Sequence, residues 1–211
     1  MELVKTYKDD IVTSIGFLKY MNEALSIYEN DTQVFEVTGF MFPLKKTGLP
    51  DTFFYNANSC WGWGTWKRAW DFFESDAQLL YDRLIEKGIN WESYNAYQGD
   101  AFRLQLIQNI NNDIRTWAVK WHTVIKLKKG FVLHPKKSLT KNIGFDGTGV
   151  HCEETNIYIN IELAEKIKVQ KIITYNENYK AIIAIKNYFQ TTGSNLLFKK
   201  MSAITKNLFR Y

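Results

Sequence analysis

Cysteine and proline are scarce in this chain, with two of the first and three of the second among 211 residues. So few cysteines exclude a disulfide-built scaffold, and Cys60 and Cys152, far apart in sequence, are expected to stay reduced thiols. No apolar run approaches the roughly 20 residues that a membrane-spanning helix requires. The opening MELVKTYKDD also lacks the apolar core of a signal peptide. A cytoplasmic chain is therefore expected, with the inner face of a membrane as the second location. No internal repeat or low-complexity block divides the sequence. None of the sequence signatures of nucleic-acid-binding folds is present, so nucleic acid is not an expected partner.

What the chain does have is bulk. Hydrophobic residues make up 45% of it and aromatics 16%, enough for one substantial core. The formal net charge of +5 suits an anionic partner such as a lipid surface or a phosphate-bearing small molecule. A solvated, solubilising face explains the same lysines, and the charge alone singles out neither.

Periodicity places the elements. Phe17, Leu18, Met21, Leu25 and Tyr28 recur at helical steps, with Ser14 upstream as a cap. QVFEVTGF reads as a strand. Residues 45–63, rich in Gly, Pro, Asn and Ser, read as an irregular loop. Helix is expected through WKRAWDFFES and DAQLLYDRLIEKG, with Leu79, Leu80, Leu84 and Ile85 as its apolar stripe and Gly88 as its stop. AFRLQLIQNI and TWAVKWHTVIKLKKG follow as helices, the second packing Trp117 and Trp121 into a core. FVLHP is a short strand and NIGFDGTGVHC a glycine-rich loop. Residues 153–190 mix β-prone runs with a final helix bearing Ile182, Ile183, Ile185, Tyr188 and Phe189.

Two features point to chemistry. The run CWGWGTWKRAW holds four of the seven tryptophans, and indoles set between glycines suggest a shaped surface of the kind that stacks on sugar rings. Asp9 and Asp10 open the first helical unit. A solvated helix-capping turn explains them, and so does a pair of hard oxygen ligands for a divalent cation that neutralises nucleotide phosphates.

Taken in order, KDDIVTSIGFLKYMNEAL, VTGFMFP, LPDTFFYNANSCWGWGTWKRAW, TWAVKW and LHPKKSLTKNIGFDGTGVHC resemble bacterial family 2-like glycosyltransferases of the GT-A fold, over about residues 9–152. The resemblance implies an α/β, Rossmann-related domain with an incomplete sheet and flanking helices. It further implies transfer of a sugar, of the hexosyl class, from a nucleotide-sugar donor to a polysaccharide or lipid-linked acceptor, assisted by Mn2+ or Mg2+. By position it assigns Asp10, Asp9 and His151 to the metal, and Trp61, Gly62, Trp63, Gly64 and Trp66 to the sugar pocket. Lys8 stands where the family carries an acid, which weakens a metal site by repulsion. For the general base the candidates are Asp113, Asp100, Asp71 and Asp146, and Asp113 is preferred.

In the family, roughly a hundred residues of nucleotide-binding strands and helices precede the acidic motif, an expectation shared with nucleotide-binding α/β folds generally. Here eight residues do. The expected organisation is a metal- and acceptor-binding portion over 1–152, an α/β extension over 153–195 and a basic tail over 196–211. A partner chain supplying the donor half, a non-catalytic relic, and a carbohydrate-binding or interaction module are the alternatives to an autonomous enzyme.

Overall fold

In a computed structural model of the protein, which describes residues 3–6, 10–45, 48–144 and 161–192, a mixed five-stranded sheet is flanked by helices and accompanied by a two-stranded ribbon. The large sheet comprises β1 (Leu3–Thr6), β3 (Val34–Thr38), β4 (Thr52–Phe54), β5 (Trp63–Trp66) and β6 (Phe131–Pro135), in the spatial order β1-β5-β3-β6-β4. β3 and β6 run parallel and the other pairs antiparallel. The ribbon pairs β2 (Ile11–Thr13) with β7 (Thr140–Asn142), Ile11 opposite Asn142 and Thr13 opposite Thr140. This is an α/β architecture, with seven helices among the described residues.

β3 is buried at all five positions, as expected for a strand covered on both faces. Its register against β6 shifts between Val34 and Glu36. The irregularity sends two consecutive side chains, Phe35 and Glu36, to one face, where both meet Trp121. Val34 and Val37 face the opposite side, under the first helix, α1 (Phe17–Ile27). There Phe17, Tyr20, Met21, Ala24 and Leu25 form one core with Phe54, Trp66 and Leu133. α1 begins at Gly16 without a side-chain cap, so Ser14 contributes its carbonyl to Phe17 N rather than its hydroxyl, which is buried without a partner.

Helices cover the other face of the sheet. α2 (Lys67–Trp70) is a single turn, and the chain breaks before α3 (Ala77–Glu86), so the long continuous helix expected from the sequence is two elements. Asp76 caps α3 by accepting from Leu79 N at 3.0 Å. Only Leu80 and Leu84 of its expected stripe are buried, while Leu79 and Ile85 face solvent. After the short α4 (Trp91–Tyr94), α5 (Ala101–Ile110) and α6 (Ala118–Lys128) match their sequence expectations. α6 ends where Lys129 turns left-handed, one residue before Gly130.

Residues 161–178 contain no helix or strand, contrary to their β-prone composition, and among the described residues no strand pairs with them. They are pinned instead by single contacts: Ala164 N donates to Ser138 O at 2.7 Å and the Tyr175 ring stacks on Phe54. α7 (Tyr179–Thr191) starts at an Asn178 cap and buries Ala181, Ile185 and Phe189 against Phe40, Phe42, Phe53 and Tyr55. No helix among the described residues is long and apolar enough to cross a membrane.

Candidate functional site

Because β3 and β6 are parallel, their carboxyl ends open on the same side, the usual place for a ligand in an α/β sheet. Beyond β3 the chain runs through Gly39, Phe40, Met41 and Phe42, and beneath it lies His134 of β6. A cleft of about 220 Å³ opens here, walled by Phe40, Trp61 and Phe102, with Tyr55 and His134 at its base and Gln98 and Gln105 bringing amides to its side. The Trp61 ring meets Phe40 edge-on, centroids 4.5 Å apart. The lining is aromatic with a few polar groups, which suits a small ring-bearing ligand. Among the described residues that line it there is no Asp or Glu.

The polar groups at the base are held by the backbone. Tyr55 donates to Ala96 O at 2.6 Å and accepts from Gln98 Nε2 at 2.9 Å. His134 places Nε2 2.9 Å from Ala57 O and Nδ1 3.3 Å from Phe40 O. Burial holds its pKa down to about 4 against the pull of those carbonyls, so the ring is neutral at pH 7 and serves as a strut.

One acid lies directly behind the cleft wall. Glu36, fully buried, accepts from Ser59 N at 3.0 Å and from Trp121 Nε1 at 2.8 Å. Burial raises its pKa to about 8, opposed by those two hydrogen bonds. It thereby fastens the Ser59–Trp61 rim to β3 and to α6. The sequence carried a signal for it, a lone charge inside the apolar run VFEVT, but nothing local pointed to a partner 85 residues away.

The ribbon joins the cleft to the acidic turn. Thr140 Oγ1 donates to Trp61 O at 2.8 Å, and three residues on Ile143 N donates to Asp10 O at 2.9 Å. Asp10 also lies against Gly144, where a Cβ would come within 2.9 Å of Asp10 Oδ2 and would push the carboxylate aside. Gly62 is constrained in the same way: its φ is +75°, and a Cβ would sit 2.6 Å from Thr140 Cγ2. Asp10, Trp61 and Gly62 are thus gathered at one end of the molecule.

The remaining tryptophan-loop residues stand elsewhere. Trp63, Gly64 and Trp66 form β5 instead of a loop, and a spacing of three sends the two indoles to opposite faces of the sheet. Trp63 stacks on Trp117 at 4.8 Å and packs among Trp70, Trp121 and Leu80. Trp66 is under α1, its Nε1 donating to Leu25 O and its face covered by Arg68 at 4.3 Å. Gly64 lets Met21 and Leu25 close over the strand. With their faces occupied, Trp63 and Trp66 hold the wall that Trp61 presents.

Asp113 is exposed in the α5–α6 connection, its N–H donating to Gln108 O, and it does not line the cleft. Asp71 pairs with Lys67, and Asp100 accepts from Asn95. Asp9, Asp146, His151 and Cys152 lie outside the described residues, as does Lys8. Among the described residues no group of three or more His, Cys, Asp or Glu is placed to hold a metal ion. Asp10 brings one carboxylate to this end of the molecule. No protein-family model matches the chain, and no curated protein is significantly similar to it.

Proposed function

We propose that the protein is a glycosyltransferase-like, sugar-binding chain of the GT-A type, with Trp61 as its ring-stacking side chain and Asp10 as its metal and diphosphate contact. One observation supports this above the others: β7 and the residue after it hold both the Trp61 rim and the Asp10 turn, through Thr140 and Ile143, so a sugar on the indole and a phosphate near the carboxylate fall on the same end of the sheet. The aromatic wall stacks on the apolar face of a pyranose, and the glutamine amides at the side suit its hydroxyls. A Mn2+ or Mg2+ ion held by Asp10 would neutralise the diphosphate of a nucleotide sugar. Asp9 and His151 are the further metal ligands in this reading, and Asp113 the base toward a polysaccharide or lipid-linked acceptor. An Asp113→Asn variant that keeps full transfer rate removes that last assignment.

Titration calorimetry with UDP-glucose and GDP-mannose, with and without Mn2+, tests the proposal. Metal-dependent binding that is lost in Asp10→Asn supports it. No heat at millimolar nucleotide sugar removes an autonomous transferase. In that case a partner chain adding the donor half is tested by pull-down on β1, an edge strand among the described residues with β5 as its neighbour.

A second reading, a carbohydrate-binding module without chemistry, is favoured by a cleft lining that holds no acid among the described residues. Glycan binding that needs neither nucleotide nor metal, and that Trp61→Ala weakens, distinguishes it from transfer.

A further inference from the structure

Away from the cleft, two cavities meet at Pro43 and Lys45, and both have more apolar than polar surface. The first, about 610 Å³, sets Lys45, Lys136 and Lys137 around Ser138 against the apolar Met41, Phe42 and Leu49, with Glu162 as the one acid among the described residues of its lining. The second, about 680 Å³, is the more apolar and runs along the outer side of α7 past Ile183, Ala184 and Tyr188, with Lys45 and Lys180 beside it and no acid among the described residues of its lining. Lys180, Ile183, Ala184, Asn187 and Thr191 recur at helical steps, so this groove follows one face of α7. The opposite face, Ala181, Ile185 and Phe189, is committed to the core.

Charge decides what this pair of cavities takes. Lys136 pairs with Asp51 at 2.6 Å and Lys137 with Glu162 at 3.0 Å, but both pairs are solvent-exposed and such pairs are weak. A phosphate group competes readily for those lysines. Lys45 and Lys180 form no ion pair among the described residues. Lys45 is common to both cavities, placing a cation where a polar headgroup would join an apolar tail. We propose that this double cavity docks the protein on an anionic lipid surface, seating one phospholipid with its phosphate among Lys45, Lys136 and Lys137 and its acyl chain along Ile183 and Ala184 of α7. Ile183, 40% exposed, and Tyr179, 74% exposed, supply the adjoining apolar contact with the bilayer interface. The site uses neither Asp10 nor Trp61, so it stands or falls independently of the transferase reading.

Sedimentation with phosphatidylcholine vesicles, with and without phosphatidylglycerol, tests it. The basic chain as a whole is drawn to anionic vesicles, so the control must carry the same change in charge and hydrophobicity. Lys45→Glu/Ile183→Asp is therefore compared with Lys171→Glu/Ile173→Asp. In the control pair Ile173 is 80% exposed, and Lys171 lines a depression with Asn30 to Thr32 at the amino end of β3, the end opposite Pro43. The site pair should lower partitioning onto phosphatidylglycerol vesicles by about tenfold or more and the control by about twofold or less. Lys45→Glu alone, in an exposed loop, should show the same direction if the double variant melts early by circular dichroism. Equal losses in the two pairs, or wild-type binding no stronger to phosphatidylglycerol than to phosphatidylcholine, overturn the proposal.

Discussion

Replacing Glu36 by glutamine should remove a pH-dependent part of the stability, on top of a constant cost, because the amide NH2 cannot accept from Ser59 N or Trp121 Nε1 as a carboxyl oxygen does. The carboxyl is fully buried between Ser59 N and Trp121 Nε1, and burial raises its pKa to about 8. In the unfolded chain it returns to the ordinary glutamate value of 4.5. A carboxyl with a raised folded pKa adds stability that is complete below the unfolded value and is lost as pH rises through the folded one. At pH 6.5 the folded protein holds this proton and the unfolded chain does not; at pH 8 half of the folded molecules have released it. The linkage integral over that interval is about 1.5 kcal/mol. His122 and His134, whose pKa values burial lowers, and Lys126, lowered to about 8, also titrate differently in the two states. Glutamine leaves them in place, so they cancel in the difference between the two proteins. Urea denaturation followed by circular dichroism at pH 6.5, 7.25 and 8.0 should therefore show Glu36→Gln gaining about 1.5 kcal/mol on wild type across the series. A constant difference, or one that moves toward wild type as pH rises, refutes the assignment of that proton to Glu36.

Two further substitutions test the framework around the cleft. Gly62→Ala combines a φ of +75° with a Cβ 2.6 Å from Thr140 Cγ2, and should lower stability by about 2 kcal/mol, read as the urea midpoint; a loss within error would contradict that backbone geometry. Arg68→Lys keeps the charge but not the fork that donates to the carbonyls of Tyr28, Glu29 and Val34 and covers Trp66, and should cost about 2 kcal/mol by the same assay, with an unchanged midpoint as the contrary result.

The elements legible in the sequence were those whose pattern is local. α1, α5, α6 and α7 carry helical spacing over ten residues or more, and the apolar runs of β3 and β6 announce strands. β5 was hidden by Gly62 before it and Gly64 within it. The dipeptides of WGWG carry turn chemistry, and the preference of a strand for bulky side chains shows only in the tryptophans at either end of W-G-T-W. Their spacing held the missing information, since two tryptophans three apart on a strand cannot share a face. β4 is three residues long, and its order comes from antiparallel pairing with β6, far along the chain.

The same reasoning explains why the parts of the site were easier to name than to assemble. β2 and β7 are three residues each, and neither IVT nor TKN buries enough apolar surface to be a strand alone. They become a ribbon by pairing across most of the chain, and that ribbon is what brings Thr140 to Trp61, 79 residues away, and Ile143 to Asp10. Composition marks an aromatic-rich loop and an acidic turn, but the distance between them is a property of tertiary pairing. The fully buried Thr140 is therefore the position at which rim and turn are coupled: its hydroxyl sets the Trp61 carbonyl, its methyl fills the space that Gly62 leaves, and its strand continues to Asp10.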